Sequence, residues 1–118
     1  MTAPRLEINL QKIEYNATVL VRRLARKGIT VSGVTKATLW CPRIASAMLK
    51  GGIQRLADSR IENIEAMRRA NVDAEMILIR SPMLSQADRV VATADVSFNT
   101  ELVVIAELSR AAKRLRRQ

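Results

Sequence analysis

The residues best suited to chemistry lie at the ends of short apolar runs. Lys36 closes the run Ile29-Thr30-Val31-Ser32-Gly33-Val34-Thr35, and polar groups close three more, as Asp58-Ser59-Arg60, Arg80-Ser81 and Asn99-Thr100-Glu101. A lysine amine enclosed by apolar strands spends more time neutral, and a neutral amine attacks an aldehyde to form a Schiff base. A single strand-end lysine is equally served by a salt bridge, here to Asp58 or Glu101, and residue type by itself favours that pairing. Strand ends are also polar simply because they emerge into water. Other candidates have plainer readings. Cys41 carries a thiol, but a small buried hydrophobe is the commoner role of such a residue. Trp40 reads as half-buried packing, Tyr15 as packed within a helix, and Glu62 with Glu65 as solvated charges on a helix exterior. Ser32-Gly33 and Gly51-Gly52 are too short for a phosphate-binding glycine motif.

The positioning elements follow from hydrophobic period. Leu6-Glu7-Ile8-Asn9-Leu10 alternates apolar and polar, the pattern of a half-buried strand, and Asn9 or a neighbour can start the next helix. From Gln11 to Lys27 the apolar positions Ile13, Ala17, Leu20, Val21 and Leu24 recur at helical spacing. Arg22, Arg23, Arg26 and Lys27 then complement the helix dipole, and Gly28 supplies a left-handed cap. The run Ile29 to Thr35 reads as a strand covered on both faces. Pro42 to Lys50 reads as a helix turning Ile44, Ala45, Met48 and Leu49 inward, ended by Gly51-Gly52. A strand over Ile53 to Ala57, a helix over Ile61 to Ala70 with Ile64 and Met67 on one side, and a buried strand over Met76 to Ile79 come next. A helix over Leu84 to Ala94 capped by Ser85, a short strand Val96-Ser97-Phe98, and a helix from Glu101 to Arg116 capped by Thr100 complete the chain. This alternation predicts parallel strands joined by crossovers, an α/β sheet or barrel, with Lys36 and the other polar ends gathered on one face.

Composition narrows the function classes. A chain of 118 residues with 48% hydrophobic content supports one compact domain, or a portion of something larger. Tyr15, Trp40 and Phe98 are the only aromatics, 3% of the chain, too few for the stacking platforms that bind single-stranded nucleic acid. The net charge of +9 raises a polyanion partner. However, five cations fall within the last nine residues, Arg110, Lys113, Arg114, Arg116 and Arg117, which reads as a solvated or frayed helix end. Without histidine the chain forms neither a Ser-His-Asp triad nor a histidine-based zinc site. One cysteine fits a reducing compartment, and no run approaches the roughly 20 apolar residues of a membrane span, so a soluble, cytoplasmic protein is expected.

The ordered motifs also resemble a family. Leu6-Glu7-Ile8-Asn9-Leu10 with Ile13 and Asn16, Val34-Thr35-Lys36-Ala37, Ile44-Ala45 with Met48, and Asp58-Ser59-Arg60-Ile61-Glu62-Asn63-Ile64 follow in series. Ile79-Arg80-Ser81-Pro82-Met83, Ala94-Asp95-Val96-Ser97 and Asn99-Thr100-Glu101 continue it. Together they resemble the amino-terminal portion of the alanine racemase N-terminal-domain family, and most of all its ornithine racemase-like branch. The resemblance implies a partial (β/α)8 TIM-type barrel occupying residues 1–118, with an introductory strand and helix followed by about four of the eight units. It implies pyridoxal 5'-phosphate as cofactor, with Lys36 forming the internal aldimine and serving as the base on one face in amino-acid racemisation. Arg60, Arg80, Ser81 and Asn99 are the candidates for lining the cofactor pocket, mainly by their strand-end positions. Thr38-Leu39-Trp40-Cys41-Pro42 replaces the glycine- and tyrosine-containing segment of the alanine racemases, which points away from alanine as substrate. The opposite-face base and most phosphate-binding groups have no counterpart in this chain. Two further readings are a non-catalytic pyridoxal-phosphate-binding protein and a self-associating half-barrel. The partners expected are an amino-acid substrate and a second copy or complementary barrel half; a membrane is not expected, and nucleic acid stands last.

Overall fold

The computed structural model describes residues 3–118. Helices and strands alternate as α1 Leu10–Ala25, β1 Ser32–Val34, α2 Pro42–Lys50, β2 Arg55–Asp58, α3 Ile61–Arg69, β3 Glu75–Leu78, α4 Ala87–Thr93, β4 Val96–Ser97 and α5 Leu102–Leu115. Single 3-10 turns at Lys36–Thr38 and Leu84–Gln86 follow β1 and precede α4. The strands form one parallel sheet in the order β1-β2-β3-β4. Thus the periodicity predicts the architecture correctly, although β1, β2 and β4 are shorter than their apolar runs and β3 begins and ends one residue earlier than its own.

Local chemistry sets the boundaries. Asn9 Oδ1 accepts from Lys12 N at 3.0 Å and so caps α1, satisfying one of the amide donors left free at a helix start. At the other end Gly28 has φ +69°; its N–H donates to Ala25 O at 3.0 Å and that of Ile29 to Leu24 O at 3.1 Å, the paired bonds of a glycine-capped terminus. Pro42 opens α2, where its missing N–H costs nothing. Gly52, with φ +98°, closes α2 as Gly28 closes α1.

Two rows of side chains divide the sheet. Leu56 and Met76, in register on β2 and β3, are sealed from solvent among Ala45 of α2, Ile61, Ile64 and Met67 of α3, and Val90 of α4. Burying side chains of this size contributes about 1.5–3 kcal/mol each. The other row, Val34, Ala57, Ile77 and Val96 in register, takes no part in that cluster. It lines the side of the sheet away from the helices, and its outer members Val34 and Val96 are 43% and 38% exposed. Phe98, just after β4, and Leu102, Val103 and Ile105 of α5 are exposed as well.

Several expectations are corrected. Leu6 to Leu10 forms no strand: residues 3–9 have no regular structure and Leu6 is 86% exposed, because no neighbouring strand among the described residues offers its amides a ladder. Tyr15 and Leu20 point outward on α1 rather than packing, since Ala17 and Val21 are the α1 side chains that meet the core. Ser85 does not cap α4, the Gln86 side chain accepting from Met83 N instead. Thr100 does not cap α5, whose first helical residue follows Glu101 with no side-chain cap. The basic tail is not simply solvated. Arg114 pairs with Asp88 and Glu107, and Arg117 donates to the carbonyls of Val91 and Ala92, which docks the end of α5 on α4. Among the described residues no helix is long and apolar enough to cross a membrane.

Candidate functional site

The polar strand ends are brought to one side of the sheet because the parallel ladder continues one residue past each strand. Thr35 N donates to Ala57 O, Ile79 N to Asp58 O and Phe98 N to Leu78 O, at 2.9, 3.0 and 2.8 Å. Lys36 is the next residue after this ladder and the first of the 3-10 turn. Its side chain is exposed, so the apolar enclosure expected of it is not supplied by these strands. It is also in no ion pair among the described residues, which overturns the salt bridge to Asp58 or Glu101.

The reason is that Asp58 is committed elsewhere. Its side chain is buried with 0% exposure. Oδ2 accepts from Thr35 Oγ1 at 2.7 Å, while Oδ1 accepts from Arg60 N and Asn63 Nδ2, both at 3.0 Å. A buried carboxylate needs such partners, because desolvation without them costs several kcal/mol. Thr35 is equally engaged. Its carbonyl accepts from Thr38 N at 3.0 Å, Thr38 Oγ1 at 3.0 Å and Trp40 N at 3.3 Å. The turn therefore hangs from Thr35, and Leu39 and Trp40 complete it at φ +48° and +57°. Two successive non-glycine residues in the left-handed region store strain that the surrounding contacts must hold. Trp40 is half-buried against the core, as its type suggested, and Cys41 is half-buried as well.

The remaining candidates occupy two other places. Arg60, Arg80 and Ser81 line one cavity of about 340 Å³ together with Ser59, Glu62 and Gln86. Arg60 stands 4.0 Å from Glu62, and Glu62 in turn 3.6 Å from Arg89, whereas Arg80 has no acidic partner among the described residues. Asn99 lines a separate cavity of about 350 Å³ with Ser97, Ala94 and Leu108. Its Nδ2 donates to the carbonyl and hydroxyl of Ser97 at 3.1 and 2.9 Å, and its Oδ1 is buried without a partner. Lys36 lines neither cavity. Thr35, Asp58 and Asn63 were missed as a unit by sequence reasoning; the signal available was a threonine next to the strand-end lysine and an acid ending the following strand.

Comparison with known proteins places this geometry. Residues 8–118 match the family model described as alanine racemase, N-terminal domain. The lysine racemase of Thermotoga maritima is 45% identical over 86 residues, 73% of this chain and 24% of that protein. The ornithine racemase of Acetoanaerobium sticklandii is 30% identical over 112 residues, 95% of this chain and 31% of that protein. The chain thus spans about a quarter to a third of these relatives' lengths. Among solved structures, the D-threonine aldolase of Filomicrobium marinum superposes with a TM-score of 0.83 at 16% identity, over 99% of this chain and 32% of that one. An alanine racemase from Streptomyces lavendulae superposes with a TM-score of 0.81 at 19% identity, over 94% of this chain and 29% of that one. At these identities the likeness shows the fold, consecutive units of a (β/α) barrel.

Proposed function

The chain belongs to the alanine racemase N-terminal-domain family, and from that premise we propose that it forms the lysine-bearing part of a pyridoxal-phosphate-dependent amino-acid racemase site. The observation that carries the reading is the amine of Lys36, free of ion pairing at the carboxyl side of the sheet while the nearby Asp58 carboxylate is engaged by three other donors. The uncommitted groups suit an anionic aldehyde. Lys36 offers an amine, Arg80 a guanidinium without an acidic partner, and Asn99 a buried acceptor awaiting a donor. Lys36 Nζ is the attachment point, and in turnover it is the base for one face of the alpha carbon, so that a proton removed on its face is replaced on the opposite face by a second group that these residues do not supply. Arg60, Arg80 and Ser81 orient anionic groups from their shared cavity. Pyridoxal phosphate, when bound, supplies a ring that draws electrons from the alpha carbon and so acidifies its proton. The relatives named lysine racemase and ornithine racemase favour a basic amino acid as substrate.

The test is direct. Incubation with pyridoxal phosphate followed by borohydride should leave a reduced adduct on Lys36, and Lys36→Ala should abolish it. An adduct spread evenly over Lys12, Lys27, Lys50 and Lys113 as well would refute the reading. Loss of optical rotation from single-enantiomer lysine or ornithine separates a racemase from a protein that only holds cofactor.

The open sheet supports a second statement about partners. β1 and β4 each have one strand neighbour among the described residues, and unpaired edges beside exposed apolar residues invite pairing. We propose that further barrel strands cover both edges, from a second copy or a complementary half. Sedimentation of the chain as a compact monomer at micromolar concentration would refute this.

A further inference from the structure

We infer that Asp58 is the positioning residue for Lys36, acting through Thr35. This rests on the reading of Lys36 as the cofactor-attachment residue. No hydrogen bond or ion pair joins the two among the described residues, and their link is one hydrogen-bonded relay in which Thr35 and Asp58 meet across a sequence separation of 23 residues. Asp58 Oδ2 holds the Thr35 hydroxyl at 2.7 Å, and the same hydroxyl lies 3.3 Å from Ala57 O. With the backbone bond from Thr35 N to Ala57 O, this fixes Thr35 at its amide and its side chain. The Thr35 carbonyl then anchors the turn that begins at Lys36 through the bonds from Thr38 and Trp40.

The other carboxylate oxygen ties the same point to the start of α3 through Arg60 N and Asn63 Nδ2. The backbone carbonyl of Asp58 accepts from Ile79 N and so joins the end of β3. One buried side chain therefore sets where β1, β2 and α3 end or begin relative to one another. Arg60 and Arg80 flank this junction, so the relay also fixes where the Lys36 backbone stands relative to the guanidinium cavity. An exposed lysine on a four-carbon stem has no side-chain restraint of its own, and its reach is decided by where its backbone is held. A displacement of about 1 Å at a reacting group can cost on the order of 100-fold in rate.

The test compares Thr35→Val with Thr35→Ser in the 118-residue chain. Valine keeps the shape and removes the relay hydroxyl, whereas serine keeps it. Each variant is treated with pyridoxal phosphate and borohydride, and mass spectrometry reads the adduct on Lys36 relative to the surface lysines Lys12 and Lys50 of the same molecules. Molecules that unfold lose the preference at every site, so circular dichroism and a urea midpoint are recorded alongside. The ratio should fall by about tenfold or more in Thr35→Val at retained secondary structure, and should be restored in Thr35→Ser. Should valine unfold the chain, Asp58→Asn serves instead. Its amide can still accept from Arg60 N and Asn63 Nδ2 and can donate to Thr35 Oγ1, so the ratio should be largely kept there and lost in Asp58→Ala. An unchanged ratio in folded Thr35→Val or in folded Asp58→Ala overturns the positioning role while leaving the Lys36 reading intact. Absence of any Lys36 preference in the unmodified chain removes both.

Discussion

Replacing Gly51 with alanine sets backbone preference against tertiary packing. Gly51 has φ −73° and ψ −1°, a conformation open to every residue. By itself the substitution would therefore stabilise the chain by about 0.4–1 kcal/mol through the unfolded state. The packing acts the other way. A β-carbon at Gly51 would lie 2.4 Å from Ala17 Cβ, 2.7 Å from the Glu14 carbonyl oxygen and 3.1 Å from Thr18 N. All three atoms belong to the backbone or side-chain stub of α1, and none can rotate aside. Restoring an ordinary carbon contact of about 3.5–4.0 Å requires α1 to retreat by roughly 1.1–1.6 Å. Ala17 and Val21 then lose contact with the core they now pack on. Overpacking of this kind costs about 1–3 kcal/mol, which at mid-range outweighs the chain-entropy gain and leaves a net loss of about 1.3 kcal/mol. Urea unfolding should show the lower midpoint, and amide exchange should quicken in α1 and α2 but not in α3. Gly52→Ala is the matched control: its β-carbon would meet only the Val21 side chain, at the ordinary distances of 3.5 and 3.9 Å, but its φ of +98° strains any other residue, so it should lose stability without loosening α1. A Gly51→Ala chain as stable as its parent, with unchanged exchange in α1, would refute the close-approach argument.

Two further outcomes are expected. Arg68 donates from Nε to Thr93 O and from Nη1 to Ala74 O, both at 3.0 Å, and from Nη2 to Asp95 at 2.6 Å; Arg68→Lys replaces that fork with one ammonium and should lower stability by about 1–3 kcal/mol in thermal melts. Glu65 is held below its ordinary 4.5 chiefly because Arg89 donates to both of its oxygens, with burial opposing. A depressed folded value means that the stabilisation is present above the unfolded value and lost as pH falls through the folded one. Arg89→Met should therefore flatten the stability curve below pH 4.5, read as urea midpoints across pH, and high salt should mimic part of that change.

Much of the fold is legible in local pattern. Pro42 and Lys50 bound α2 as read, Gly28 ends the first helix, and the alternating runs place Lys36 immediately after a strand. The failures share a cause. Leu6 to Leu10 has the period of a strand but meets no partner, and a ladder needs two chains of amides. Tyr15 sits on a helix whose apolar stripe is narrower than its sequence implies, because α2 approaches closely enough at Gly51 for small residues to suffice. Thr100 has the type of a cap and Ser85 likewise, but capping depends on the backbone entering the helix in register, which residue type does not set.

Two levels of determination separate cleanly at the site. The sequence by itself determined that strands and helices alternate in parallel order and that Lys36 follows the first strand, because both follow from periodicity and end signals acting over a few residues. Only the tertiary structure decided which acid serves which partner. Asp58 and Lys36 are 22 positions apart, and opposite charge alone makes them a pair. The ladder register instead brings Thr35 within 2.7 Å of the carboxylate and turns Asn63 onto its other oxygen. A buried carboxylate whose oxygens are already met has no need of an ammonium, and the lysine amine is left free.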